Sequence, residues 1–207
     1  MSAAFGAVVL RASGLQNFSV HLFGPSRAGK TTELLAAMSL YGFGKESDLA
    51  TWVASAARLL ETATAFGDML FPLNEVGAKR GRRTQSYDGI RDLYAQCAEG
   101  TDLERHSEWA KDHGGAARRF HGICIATAEH SIAEYAEMAG EVRDDGELFR
   151  AIDVRAIRKG ATTIFDLAPL GLDPRVELQE LRKAIAECHG TALAPYVEYL
   201  MQLGYAE

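Results

Sequence analysis

Gly24-Pro25-Ser26-Arg27-Ala28-Gly29-Lys30-Thr31-Thr32 is the stretch whose reading decides the fold. It fits the pattern Gly-x-x-x-x-Gly-Lys-[Ser/Thr] in full. Residues 17–23 (NFSVHLF) precede it and read as a short strand, rich in β-branched and aromatic side chains. Residues 31–40 (TTELLAAMSL) follow and read as a helix, with apolar residues at helical spacing and Gly42 and Gly44 beyond its end. A glycine-rich turn between a strand and a helix is built to hold phosphate. Gly24 and Gly29 permit the tight backbone path, and successive N–H groups then face the anion. The positive end of the following helix adds to that field. In such a loop Pro25, Ser26, Arg27 and Ala28 supply backbone, and Lys30 reaches the β- and γ-phosphates. The Thr31 hydroxyl ligates Mg²⁺, and Thr32 counts with the rest of the loop as nucleotide-binding. ATP and Mg²⁺ are the expected cofactors.

The chemistry needs a carboxylate on a neighbouring strand, and residues 69–75 (MLFPLNE) supply the candidate. A mostly apolar run leads to Asn74-Glu75 at a strand end. Glu75 is the expected base that polarises water. Asn74 is the expected metal-shell residue, although it offers a neutral oxygen where a carboxylate is usual. The strand at 122–126 (GICIA) ends in Thr127, the candidate γ-phosphate sensor. Arg150, before the apolar run around Ile152, is the candidate arginine finger, in cis or across a subunit interface, with Arg155 the alternative.

Outward from these motifs, strands and helices alternate. A second strand is expected at 52–53, and a helix capped by Ser55 runs to Phe66. A helix spans 87–98, and Ser131 caps another over 132–138. Strands follow at 148–154 and 163–165. Helices at 174–188 and 191–203 close the chain, with Gly190 between them. The stretch 103–119 has no readable period. The expectation is one α/β domain over 1–207: a three-layer P-loop NTPase of RecA-like type with a mainly parallel sheet. Residues 1–17 form a leader helix or loop, 18–165 the nucleotide-binding core, and 166–207 a C-terminal helical pair.

With 207 residues the chain can bury a sizeable core, and 47% hydrophobic with 24% charged residues excludes a disordered or fibrous protein. No apolar run approaches a membrane span, and the start lacks the basic segment of a signal peptide. A net charge of −6 excludes a general nucleic-acid coat, so any DNA contact is local. The basic loop Lys79-Arg80-Gly81-Arg82-Arg83 is the candidate for it. Cys97, Cys124 and Cys188 are odd in number and widely spaced, which suits a reducing cytoplasm. His106, His113, His121, His130 and His189 show no paired metal spacing.

Several pieces in order resemble one family. They are the leader Ala4-Phe5-Gly6-Ala7-Val8-Val9-Leu10, the phosphate loop, Thr51-Trp52 before the helix containing Glu61, and Asn74-Glu75 followed by a helix around Tyr94. Thr127-Ala128-Glu129, residues 150–156 (RAIDVRA), Thr163-Ile164-Phe165-Asp166 and Cys188-His189-Gly190-Thr191-Ala192 continue the series. Together these span nearly the whole chain. They resemble the helicase-like family DUF927 of phage, plasmid and integrated-element primase/helicase proteins. The resemblance implies a RecA-like ATPase core that assembles with copies of itself. It also implies work on single-stranded or duplex DNA, or with replication proteins. Two departures stand out: Asn74 in place of an acidic residue, with Pro72 inside the strand, and a chain that reads as the core alone where members are modules of longer proteins. The readings in competition are a helicase- or translocase-like motor and a nucleotide-binding module that turns over little and scaffolds a partner. A small-molecule kinase is a third, for which Arg118 and Arg119 make a poor lid.

Overall fold

The computed structural model describes residues 1–52, 56–76, 83–100, 119–165 and 171–205. Ser55, the loop at 79–82, His106, Trp109, His113 and Arg118 lie outside the described residues. Among those described, five strands form one sheet in the order β2-β3-β4-β1-β5, with every pairing parallel. The strands are β1 (Phe18–Phe23), β2 (Ala50–Thr51), β3 (Leu70–Val76), β4 (Ile123–Ala128) and β5 (Ala151–Arg155). The strand ending in Thr127-Ala128 thus lies between the phosphate-loop strand and the Asn74-Glu75 strand.

Side chains alternate across the sheet and feed two cores. Ile123, Ile125, Leu70 and half-buried Val20 point to one face, against α1 (Ser2–Val9) and α2 (Lys30–Met38). Phe71, Leu73, Cys124 and Ala126 point to the other, against α3 (Ala56–Phe66), α4 (Arg83–Glu99) and α5 (Ile132–Ala139). Helices on both faces of a parallel sheet give three layers, as the alternation of elements implies. After β5, α7 (Pro174–Glu187) and α8 (Leu193–Gln202) pack on the α1–α2 side through Leu181, Ile185 and Leu193. Pro at the first turn and an Asp173 side chain accepting from Arg175 N–H at 2.9 Å start α7.

Three local expectations are corrected. The run 148–154 is not one strand: α6 (Asp145–Arg150) occupies its first part and β5 its second. Asp145 and Glu147 in the first turn and Arg150 in the last suit the helix dipole. Leu148 and Phe149 stay exposed rather than entering the sheet. Residues 163–165 form no strand. The Thr163 hydroxyl donates to Phe165 O at 3.1 Å and accepts from Phe165 N–H at 3.2 Å, folding the segment on itself. Strand β2 sits two residues earlier than read, with Trp52 N–H donating to Asn74 O at 3.3 Å beyond it. Among the described residues β2 pairs with Leu73 and Asn74 alone, so β3 has no strand partner on that side at Pro72, where a missing N–H is tolerated.

Candidate functional site

The C-terminal ends of β1, β3 and β4 open on a cleft of about 540 Å³. Ser26, Arg27, Ala28, Gly29, Lys30, Thr31 and Thr32 line one wall, and Glu75, Thr127 and Glu129 line another. The loop leaves β1 with Gly24 N–H donating to Ala128 O at 3.2 Å. It enters α2 through Gly29, whose φ of 101° lies in the left-handed region. A Cβ at Gly29 would also stand 2.8 Å from Leu178 Cδ2 and 3.0 Å from Ile164 Cγ1. Glycine is required there on both counts. Ile164 N–H donates to Ala28 O at 2.8 Å, so the segment read as a strand instead braces the loop.

Lys30 folds back over the loop, its Nζ donating to Gly24 O at 2.8 Å and Pro25 O at 2.7 Å. Burial pushes its pKa down, while Glu129 and Glu75 oppose that shift. The first turn of a helix leaves its backbone N–H groups without intrahelical partners. Lys30 and the start of α2 therefore present donors and positive charge to one space. This arrangement suits an anion with several oxygens.

A second cluster stands beside it. Asn74 is buried, and its Oδ1 accepts from the Thr31 hydroxyl at 3.3 Å and from the Thr127 hydroxyl at 2.7 Å. The register of β3 against β4 shifts between Leu73 and Val76, so Asn74 and Glu75 together oppose Thr127. This is a β-bulge. Glu75 takes a φ of 59°, a left-handed conformation that costs a non-glycine residue about 1–3 kcal/mol. Its N–H donates to Thr127 Oγ1 at 3.0 Å, and its side chain is exposed to the cleft. Arg27, at the loop's tip, is also left-handed, with φ 62°. Among the described residues no group of three or more His, Cys, Asp or Glu could hold a metal. A cation here would take the Thr31 and Asn74 oxygens together with those of a ligand and water.

Residues 1–89 match the family model described as Domain of unknown function (DUF927). The DUF927 match holds the phosphate loop, Asn74 and Glu75, and over that span it bears out the resemblance read from the sequence. No curated protein matches this chain. Among solved structures, the chain is similar to the "SCCmec type IV Cch - active helicase", with a TM-score of 0.65 and 18% identity. The similarity covers 98% of this chain and 34% of that one, so the chain spans about a third of that helicase's length. At such identity the likeness concerns the fold, and it bears out the RecA-like three-layer reading.

Arg150 is not brought to the cleft. Ala151 pairs with Ser19 and Arg155 with Phe23, so β5 runs from the far end of the sheet toward the phosphate loop. Arg150 therefore sits at the opposite end, beside Arg11 and Arg119. A γ-phosphate contact from Arg150 within its own chain is ruled out by that register. Arg155 is at the correct end, its guanidinium 5.5 Å from the Phe23 ring centroid, but it lines a neighbouring hollow with Arg158 and Thr163.

The sequence reading missed Tyr135, Leu178, Gln179 and Arg182, which all line the cleft. For the α7 residues a signal was present. Leu178, Leu181 and Ile185 make an apolar stripe at helical spacing, and Arg182 interrupts it.

Proposed function

We propose that this chain is the nucleotide-binding core of an ATP-driven, helicase-like motor that works on DNA in replication or mobile-element biology. The observation that carries the reading is the convergence of Lys30, Thr31, Thr127 and Glu75 on one cleft from three strand ends, with buried Asn74 bonded to Thr31 and Thr127 behind its wall. The cleft fits a nucleoside triphosphate: a desolvated lysine and a helix N-terminus face its open space, and two side-chain oxygens stand beside them. The loop from Gly24 to Thr32 would hold the phosphates. Thr31 and Asn74 would hold Mg²⁺, which neutralises charge on phosphate oxygens when bound. Glu75 orients an attacking water and takes its proton. Thr127 fixes Glu75 through the backbone and Asn74 through the amide, so a change at either reaches both. The likeness in fold to a helicase supports motor work on nucleic acid; single-stranded or duplex DNA as the track, and replication proteins and further copies of the chain as partners, belong to the proposal.

The decisive experiment is ATP turnover by the purified chain with Mg²⁺, alone and with single-stranded or duplex DNA, with Glu75→Gln as control. DNA-stimulated turnover that Glu75→Gln abolishes supports the motor. Asn74 favours a second reading, a module that binds ATP tightly and holds a conformation or interface without turning over. Tight binding with no turnover, with or without DNA, selects that reading. No binding at all sinks both.

A further inference from the structure

We infer that Arg182 is a phosphate ligand of the cleft, delivered by the C-terminal helix α7 and exchanged onto bound nucleotide from Thr32 and Glu46. The inference rests on the reading that the cleft binds nucleotide. Leu181 and Ile185 anchor α7 in the core, and Leu178 closes over Gly29. That packing sets Arg182 along the cleft wall, where its Nε donates to Thr32 Oγ1 at 2.8 Å.

The charge pattern is what calls for a ligand. Thr32 belongs to the first turn of α2, the positive end of that helix's dipole. A guanidinium placed there meets charge of its own sign, and Lys30 adds another cation to the same cleft. Among the described residues Arg182 pairs with Glu46, whose Oε2 is 3.8 Å from Nη2, with both side chains about half exposed. That distance exceeds a hydrogen bond, and an exposed pair of this kind contributes little. Glu75 and Glu129 line the cleft as well, and both act on Lys30. A polyphosphate entering beside α2 would turn the repulsion into attraction. Nε is engaged on Thr32, and the Nη groups, one of them in the loose pair with Glu46, are the donors that two phosphate oxygens would take.

The consequence is mechanical. Lys30 and Arg182 lie 152 positions apart in sequence, so a nucleotide gripped by both ties the phosphate loop to the C-terminal helical pair. Nucleotide occupancy would then be read in the hold of α7 on the core.

The test uses fluorescent ADP and ATP analogues as probes on the full chain, with hydrogen exchange across α7. The parent should bind both nucleotides, and exchange in residues 174–187 should slow when either is present. Arg182→Ala should weaken binding about ten-fold or more and abolish that slowing, while Arg182→Lys should recover part of the affinity. Glu46→Gln should bind a few-fold more tightly, because the competing carboxylate is gone. If Arg182→Ala binds like the parent while Lys30→Ala does not, the proposal fails and the nucleotide reading stands. If the parent binds no nucleotide, both fail. Should Arg182→Ala not fold, parent-like affinity in Glu46→Gln with no nucleotide-dependent slowing of α7 overturns the proposal.

Discussion

The Thr127 hydroxyl donates to Asn74 Oδ1 across 2.7 Å, joining the tip of β4 to a buried amide near the end of β3. Thr127 Oγ1 in turn accepts from the Glu75 N–H at 3.0 Å, so the Thr127 side chain closes the bulge that aims Glu75 at the cleft. Thr127→Val keeps the shape and removes both bonds. It leaves the Glu75 N–H, in a part-buried setting, without that acceptor, which costs about 1–3 kcal/mol. Thermal unfolding should show that loss. ATP turnover should fall further than nucleotide affinity, because Thr127 positions Glu75 and Asn74 whereas the loop grips the phosphates. Equal losses in affinity and rate would refute the positioning role.

Glu75 is held at φ 59° in a place where glycine would be relaxed. Glu75→Gly should therefore raise the unfolding free energy by about 1 kcal/mol while removing the proposed base. Calorimetry of the variant checks the first half and single-turnover ATP hydrolysis the second. A variant that is both less stable and still active would remove Glu75 from the mechanism.

Much of this was legible because the deciding physics is local. The phosphate loop needs glycines at fixed offsets between a strand and a helix, and that pattern survives in the bare sequence. Thr127 was legible from its place at the end of an apolar run. Arg150 misled as a finger within its own chain because a run of apolar residues hides where a helix hands over to a strand. The arginine sits at that junction, five residues from the sheet's functional end. Arg182 was illegible for the opposite reason, since its role depends on a tertiary contact with Thr32 across 150 positions. Residues 163–165 look like a strand by composition, yet Thr163 bonds its own neighbour and Ile164 braces Ala28.

His21, buried in β1, couples the sheet to the turn that carries Glu129. The His130 carbonyl can only accept, at 2.8 Å from Nε2, so Nε2 bears the proton and Nδ1 accepts from the Tyr94 hydroxyl at 2.6 Å. Burial lowers its pKa below the usual value of 6.5, with the Arg143 charge acting the same way; the His130 bond and Asp153 oppose the shift. The unfolded chain therefore binds this proton more readily than the folded one. The stability linked to His21 is present above about pH 6.5 and drains away as the pH falls through the folded value. The midpoint temperature of the parent should drop between about pH 8 and pH 5 more steeply than that of His21→Gln. Superimposable profiles would show that His21 is not the titrating group.

Asn74 carries the sharpest test, because its position is now fixed by two hydroxyls. Pro72 does not swing residue 74 away, since Asn74 Oδ1 lies 3.3 Å from Thr31 Oγ1. Asp68 is no substitute carboxylate, because both its oxygens are held by Arg11 at the other end of β3. Asn74→Asp would place a charged acceptor where an amide now offers a neutral one, and charged acceptors bind about twice as strongly. The same carboxylate would be buried without a metal in the free protein, where burial disfavours its charged form. The free variant should therefore unfold at a lower temperature than the parent near neutral pH, and ATP with Mg²⁺ should restore more stability to it than to the parent. Its turnover should rise, and the Mg²⁺ concentration for half-maximal rate should fall. Titrating Mg²⁺ against ATPase rate and midpoint temperature reads all of these. A variant that loses stability alone, with an unchanged Mg²⁺ requirement and rate, would mean that Asn74 serves as a strut between Thr31 and Thr127 and has no part in holding the metal.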